Sequence, residues 1–306
     1  MTHIRLLFLF VLFSCNAFTI PHYYCTAADD RFYQLLLNLI GSIHCNDPEI
    51  GEIAVYDLGL KKGQRERLKR LYKVTVNQLE LTNPDLLTPI VTSPNGRIAR
   101  GCFSWKHVVL KQGLEKFPYF LYLDTGVSIT NNPDDIFKYI NEHGYFFIDS
   151  RPGHIIADRI TDTVITQIID KEFPEKKELI LDANTWMQTA GVQGISRKIL
   201  DNYVLPLYEY SKNLSLYLDD KTARLGYGAA RHDQTLSSVL LTVKNLNSFQ
   251  QGFIDLEINN EVKTIHCLHT LIEGTTHIFV SQSGINYEGG FIRFLKKEPL
   301  SRTKKE

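Results

Sequence analysis

Apolar positions along the first half of the chain follow two rhythms that take turns. From Phe32 they fall at Leu35, Leu36, Leu39, Ile40 and Ile43, the i, i+3, i+4, i+7 stripe of an amphipathic helix. Short strand-like runs flank that stripe, Tyr23 to Thr26 before it and Ile53 to Tyr56 after it. Lys61 to Tyr72 reads as a charged surface helix with Leu68 and Leu71 inward, followed by a strand at Val74 to Val76. Helix spacing returns from Trp105 to Phe117 with Trp105 in the core. Pro118 breaks it, and Tyr119 to Leu123 is a strand running into Asp124-Thr125-Gly126. Pro133-Asp134-Asp135 opens another helix, with proline and acids where a helix N-terminus favours them, and Tyr145 to Ile148 is again a strand.

Two stretches depart from this alternation. Residues 82–101 hold Pro84, Pro89, Pro94, Asn95-Gly96 and Gly101 and read as a loop. A loop of that length inside a compact domain is commonly functional. Residues 151–185 carry little fold signal.

Strand, helix, strand, helix predicts parallel strands joined by crossover helices, an α/β sandwich. Ligands in such sheets sit at the carboxyl ends of strands. Three such ends are acidic here: Ala27-Ala28-Asp29-Asp30, Asp124-Thr125-Gly126 and Asp149-Ser150. Carboxylates that meet in one crevice repel, so they need a cation between them or hydroxyls to bind.

Charge and cysteine content narrow the classes. The 34 Lys and Arg balance 34 Asp and Glu, which excludes a nucleic-acid binder working through bulk charge. Apolar content of 43% excludes disorder over most of the chain. Five Cys without a C-x-x-C pair exclude a disulfide-dense scaffold and a zinc ribbon. His3 and Arg5, the apolar run Leu6 to Phe13 and a small residue at Ala17 read as a secretory signal over residues 1–17. A buried strand, a short anchor or a lipoprotein site at Cys15 are the competing readings. The run falls far short of the ~20 residues a stable transmembrane span needs. Cleavage would leave Cys25, Cys45, Cys102 and Cys267, enough for one or two disulfides. The expected organisation is a signal at 1–17, one α/β domain over 18–295 and a charged, solvated tail at 296–306. Asp124-Thr125-Gly126 also spells the aspartic-protease tripeptide, but no second copy supplies the partner carboxylate.

Five motifs in order carry a resemblance over residues 22–245. They are Thr26-Ala27-Ala28-Asp29-Asp30-Arg31-Phe32, Val55-Tyr56-Asp57-Leu58-Gly59-Leu60, Tyr122-Leu123-Asp124-Thr125-Gly126-Val127, Ala190-Gly191-Val192-Gln193-Gly194-Ile195 and His232-Asp233-Gln234-Thr235. Together the chain resembles glycosyltransferase family 8, retaining enzymes that use nucleotide-sugar donors. The resemblance implies a GT-A (Rossmann-like) fold, a mixed, mostly parallel sheet flanked by helices. It implies a UDP-sugar donor, a glycan, protein or lipid acceptor, and a divalent cation, Mn²⁺ or Mg²⁺.

Site residues follow from the same resemblance. Ala28 and Asp29 would meet the uracil and ribose, with Phe32 stacking near the base or simply starting the core stripe. Lys106 matches a basic position near the donor. Asp124 would hold the cation, yet Gly126 stands where the family has its second Asp and offers no ligand. His266, with His269 and His277 as rivals, is the candidate third ligand, although the family's His-x-x-Gly-x-x-Lys motif is lacking. Gly191 would let the backbone approach the donor. Gln234 would sit near the anomeric carbon. Asp233 would bind sugar hydroxyls or, as the plainer reading, cap its helix. A signal and a sugar-nucleotide enzyme together point to a secretory or exported location, or to the cytoplasm if the signal reading is wrong. The competing class is a non-catalytic nucleotide- or glycan-binding protein derived from a degenerate transferase.

Overall fold

The structure is a computed structural model that describes residues 20–81, 83–150, 153–267, 279–281 and 290–299. The proposed signal and the rival ligands His269 and His277 lie outside these residues.

Six strands form the central sheet: β1 (His22–Ala28), β2 (Ile50–Asp57), β3 (Val74–Gln78), β4 (Tyr119–Leu123), β5 (Tyr145–Asp149) and β6 (Gln188–Ser196). Their order is β3-β2-β1-β4-β6-β5. β3, β2, β1 and β4 pair in parallel, and β6 runs antiparallel to both β4 and β5. This is the mixed, mostly parallel sheet expected. Five helices frame it: α1 (Tyr33–Asn46), α2 (Lys62–Leu68), α3 (Trp105–Lys116), α4 (Asp134–His143) and α5 (Asp233–Val243).

Strand alternation sorts the apolar side chains into two cores. On one face, Cys25, Ala27, Phe120 and Tyr122 pack with Val109 of α3 and Leu240 of α5. On the other, Tyr24, Leu121 and Leu123 pack with Leu36 and Ile40 of α1 and Phe137 of α4. Leu36, Leu39 and Ile40 are fully buried, each contributing roughly 1.5–3 kcal/mol. The alternation also aims the site. Asp124 follows Tyr122 by two residues and so continues the α3 face.

Residues 83–101 are more ordered than their prolines and glycines suggest. Pro89–Val91 pairs antiparallel with Ile98–Arg100, making a ribbon whose turn is closed by the Thr92 amide on the Arg97 carbonyl at 2.7 Å. Gly101, Cys102 and Phe103 then take φ of 47°, 48° and 65°, a left-handed turn leading into α3.

Residues 296–299 are exposed, and the Tyr72 amide donates to the Lys296 carbonyl at 2.9 Å and the Glu298 amide to the Arg70 carbonyl at 3.0 Å. Two expectations need correction. The cysteines Cys25, Cys45, Cys102 and Cys267 are all free. Asp149 does not join the other acidic strand ends. Its strand lies at the sheet edge, two places from β4, and its carboxylate accepts from the Ser248 hydroxyl. Among the described residues no helix is long and apolar enough to cross a membrane.

Candidate functional site

A cleft of about 420 Å³ opens at the carboxyl ends of β1 and β4. Ala28, Asp29, Phe32, Lys106, Asp124, Gly191, Asp233 and Gln234 line it. Eight of the nine residues singled out from sequence are thus gathered, and His266 is the exception.

The centre of the cleft is a charge cluster held by α3. Lys106 is 2% exposed. Its Nζ lies 3.2 Å from Asp124 Oδ1 and 2.7 Å from Asp233 Oδ2, and it donates to the Ala190 carbonyl at 3.2 Å. Burial disfavours its charge, but the two carboxylates outweigh burial and raise its pKa. Lys106 is therefore a fixed ammonium. Burial pushes the Asp233 carboxyl upward, and the neighbouring ammonium opposes that. Asp233 opens α5 without capping it by its side chain. The carboxylate turns to Lys106 instead, because a buried ammonium without counter-charges costs several kcal/mol.

The backbone just before Asp233 is strained. His232 has φ 51° and ψ −117°, a conformation that costs of order 1–3 kcal/mol in a non-glycine residue. Its Nδ1 bonds the Tyr217 carbonyl at 2.7 Å, and burial lowers its pKa, so the ring is neutral. Gln234 donates from Nε2 to the Gln188 carbonyl at 2.6 Å, which leaves its amide oxygen as the end that can accept or face positive charge.

Asp124 also accepts from the Tyr122 hydroxyl at 2.7 Å, yet its side chain remains 41% exposed. A Cβ at position 191 would lie 3.2 Å from Asp124 Oδ2. Gly191 thus makes room for this carboxylate, where the sequence reading had it admit the donor.

Asp29 differs. Its side chain is 2% exposed and takes contacts from the Arg31 amide at 3.0 Å, the Arg31 guanidinium at 2.8 and 2.9 Å, and Arg100 Nε at 2.7 Å. Three of these contacts fall on Oδ2 and one on Oδ1, so two guanidiniums converge on a single carboxylate oxygen. Burial would raise its pKa, but the hydrogen bonds from Arg31 and Arg100 prevail and lower it. Phe32, 41% exposed, stands in the cleft wall with the Arg31 guanidinium 5.5 Å from its ring centre. It is not part of the α1 core stripe.

His266 sits elsewhere. It lies on Glu261–Cys267, which pairs antiparallel with Gly252–Ile258. Ile265 and Cys267 are buried, so alternation turns His266 outward, where it stacks on Phe253 at 4.3 Å. It does not line the cleft.

The cation implied by the resemblance can be tested on this donor set. Asp124 offers one carboxylate that already serves Lys106 and Tyr122. Gly126 offers nothing, and His266 is turned away. Among the described residues, no three His, Cys, Asp or Glu side chains gather to hold a metal. These donors do not fit a divalent cation. Sequence reasoning also missed four arginines on the cleft wall, Arg31, Arg97, Arg100 and Arg231. Only Arg31 had a local signal, its place directly after Asp29-Asp30.

No protein-family model and no curated protein matches this chain. Solved structures do. A galactosyltransferase, LgtC, in complex with donor and acceptor sugar analogues is 12% identical over 75% of this chain and 73% of its own, with TM-score 0.42. The glycosyltransferase GlyE of Streptococcus pneumoniae is 10% identical over 75% of this chain and 45% of its own, with TM-score 0.42. Mouse xyloside xylosyltransferase 1 is 11% identical over 76% of this chain and 85% of its own, with TM-score 0.42. Identity this low transfers no residue role.

Proposed function

We propose that this chain is a glycosyltransferase moving a hexose from a UDP-sugar to a hydroxyl of a glycan, glycoprotein or lipid, with retention of anomeric configuration. The observation that carries the reading is the convergence of Lys106, Asp124, Asp233 and Gln234 on one cleft at the strand ends. Asp124, half-exposed and oriented by Tyr122, is placed to accept hydrogen bonds from sugar hydroxyls. Asp233 is buried against Lys106 and fixes the ammonium that orients Asp124. The Gln234 oxygen is suited to lie near an oxocarbenium-like carbon, since its nitrogen is anchored on Gln188. When the sugar–phosphate bond breaks, its electron pair leaves with the nucleotide diphosphate. The acceptor oxygen bonds the carbon from the same face and gives up its proton to the departing diphosphate oxygen.

UDP release from a panel of UDP-sugars tests this. Turnover with one donor, lowered in Gln234→Ala, is the expected result. Saturable UDP binding without turnover on any donor would instead support the non-catalytic binding protein, the reading that Gly126 favours. We also propose a secretory or exported location; intact Met1 on the mature exported chain would contradict cleavage after Ala17.

A further inference from the structure

We propose that the Tyr203 hydroxyl is a positioning group for the transfer step, holding a buckled segment of β6 so that the Gln234 amide keeps its aim; the inference rests on the transferase reading above. β6 is regular on one side and irregular on the other. Against β4 its pairing runs evenly from Tyr119↔Ser196 to Leu123↔Val192, and the Asp124 amide extends it to the Gly191 carbonyl at 2.9 Å. Against β5 the pairing breaks. β5 takes two steps from Phe147 to Asp149 while β6 takes five from Gln193 to Gln188. The excess makes a bulge over residues 189–192, and Thr189, Ala190 and Gly191 of that bulge line the cleft. A bulge re-aims a strand by giving up ladder bonds, so its two ends need another tie.

Tyr203 supplies it. Its hydroxyl accepts from Gln188 Nε2 at 2.8 Å and donates to Gln193 Oε1 at 2.9 Å. It therefore joins the two residues at which pairing with β5 stops and resumes. From each of them a second bond reaches the cleft. The Gln188 carbonyl accepts from Gln234 Nε2 at 2.6 Å. Gln193 Nε2 donates to the Ala190 carbonyl at 3.1 Å, the oxygen that also accepts from Lys106 Nζ at 3.2 Å. Tyr203 belongs to the apolar core packed on α3 and, like Gln193, is fully buried. A phenylalanine would fill that space with no polar atom to satisfy, so the hydroxyl is there for its bonds. Through them it sets where the Gln234 oxygen stands, without touching the donor.

The experiment is a double-mutant cycle on UDP release by the full chain, with kcat and KM read separately for wild type, Tyr203→Phe, Gln234→Ala and the double variant. Tyr203→Phe is expected to lower kcat about tenfold, the worth of one hydrogen bond in the transition state, with KM unchanged. In the Gln234→Ala chain the same substitution is expected to cost nothing further. Gln188→Met, similar in volume, removes the same bond from the other side and is expected to repeat the pattern; it carries the test if Tyr203→Phe does not fold. Equal losses with and without Gln234 would make the hydroxyl a general support of the fold and overturn the inference. A rise in KM at constant kcat would assign the network to donor binding and also overturn it. Wild-type turnover matched by both variants would overturn the inference and leave the transferase reading standing. Wild type that releases UDP from no donor would remove the transferase reading itself, and the inference with it.

Discussion

Asp29 and Asp124 end neighbouring parallel strands and face one cleft, but their surroundings differ. Asp29 is closed in by Arg31 and Arg100, with three donor contacts on Oδ2 and one on Oδ1. Asp124 is steadied by Tyr122 and Lys106 and still shows 41% of its side chain to solvent. The partners come from different places. Arg100 belongs to the ribbon, so Asp29 fastens the ribbon to the sheet. Lys106 comes from a buried helix position and divides its charge between two carboxylates, so Asp124 is held in place without being used up. A strand-end aspartate thus becomes a fastener or a working group according to how many donors converge on it.

Substitutions at these aspartates and their neighbours test this contrast, in order of decreasing effect. Lys106→Met leaves Asp233 buried without its counter-charge and is expected to cost about 3–5 kcal/mol in urea unfolding. Lys106→Met with Asp233→Leu should recover most of that. An unchanged midpoint for the single variant would mean that the ammonium does not hold this wall.

Asp29→Ala strands two guanidiniums and is expected to cost about 2 kcal/mol. The acid limb of stability sharpens the point. The Asp29 pKa is lowered from 3.8 in the fold, so the clamp is complete above that value and is lost as pH falls through the folded pKa. Asp29→Asn should show a shallower loss of stability there than the wild type; parallel curves would deny Asp29 its role as fastener.

Asp124→Ala should lower UDP release at least tenfold, about 1.4 kcal/mol of transition-state stabilisation, with a smaller change in stability than Asp29→Ala. The reverse pattern would exchange the two roles. Gly126→Asp has the smallest effect on stability. A Cβ there meets nothing within 4 Å, so the change should stay within about 0.5 kcal/mol. It should also strengthen a manganese signal in electron paramagnetic resonance relative to the wild type. Equal spectra would show that the second acid is not what the site is missing.

Much of the fold was legible because period governs it. The α1 stripe, the β4 run and the order of strands and helices are local patterns, and each reappears as an element. Burial of Lys106 was not legible, since a lysine on a helix is ordinarily solvated and only Asp124 and Asp233, from distant segments, make burial tolerable. The same tertiary pairing overrode the helix-cap reading of Asp233. Arg97 and Arg231 are separated by more than half the described chain and share no motif, so nothing local announces them. His266 is a different kind of miss. Ile265 and Cys267 flank it with the apolar pattern of a half-buried strand, and that alternation alone turns it outward. Asp149 needed the strand order, which places β5 at the edge.

The left-handed turn at Gly101, Cys102 and Phe103 has a consequence for anyone who would re-engineer this protein. It joins the ribbon that carries Arg97 and Arg100 to the helix that carries Lys106. A side chain at 101 would come within 2.1 Å of the Leu86 carbonyl, and Cys102 and Phe103 already hold a backbone that L-residues resist. The joint has no slack, so ribbon and helix behave as one lever, and an insertion there would uncouple them. The ribbon tip has slack to spare. Gly96 has open space around it, so a tag or fluorophore belongs at the tip, where it adds no clash to the joint.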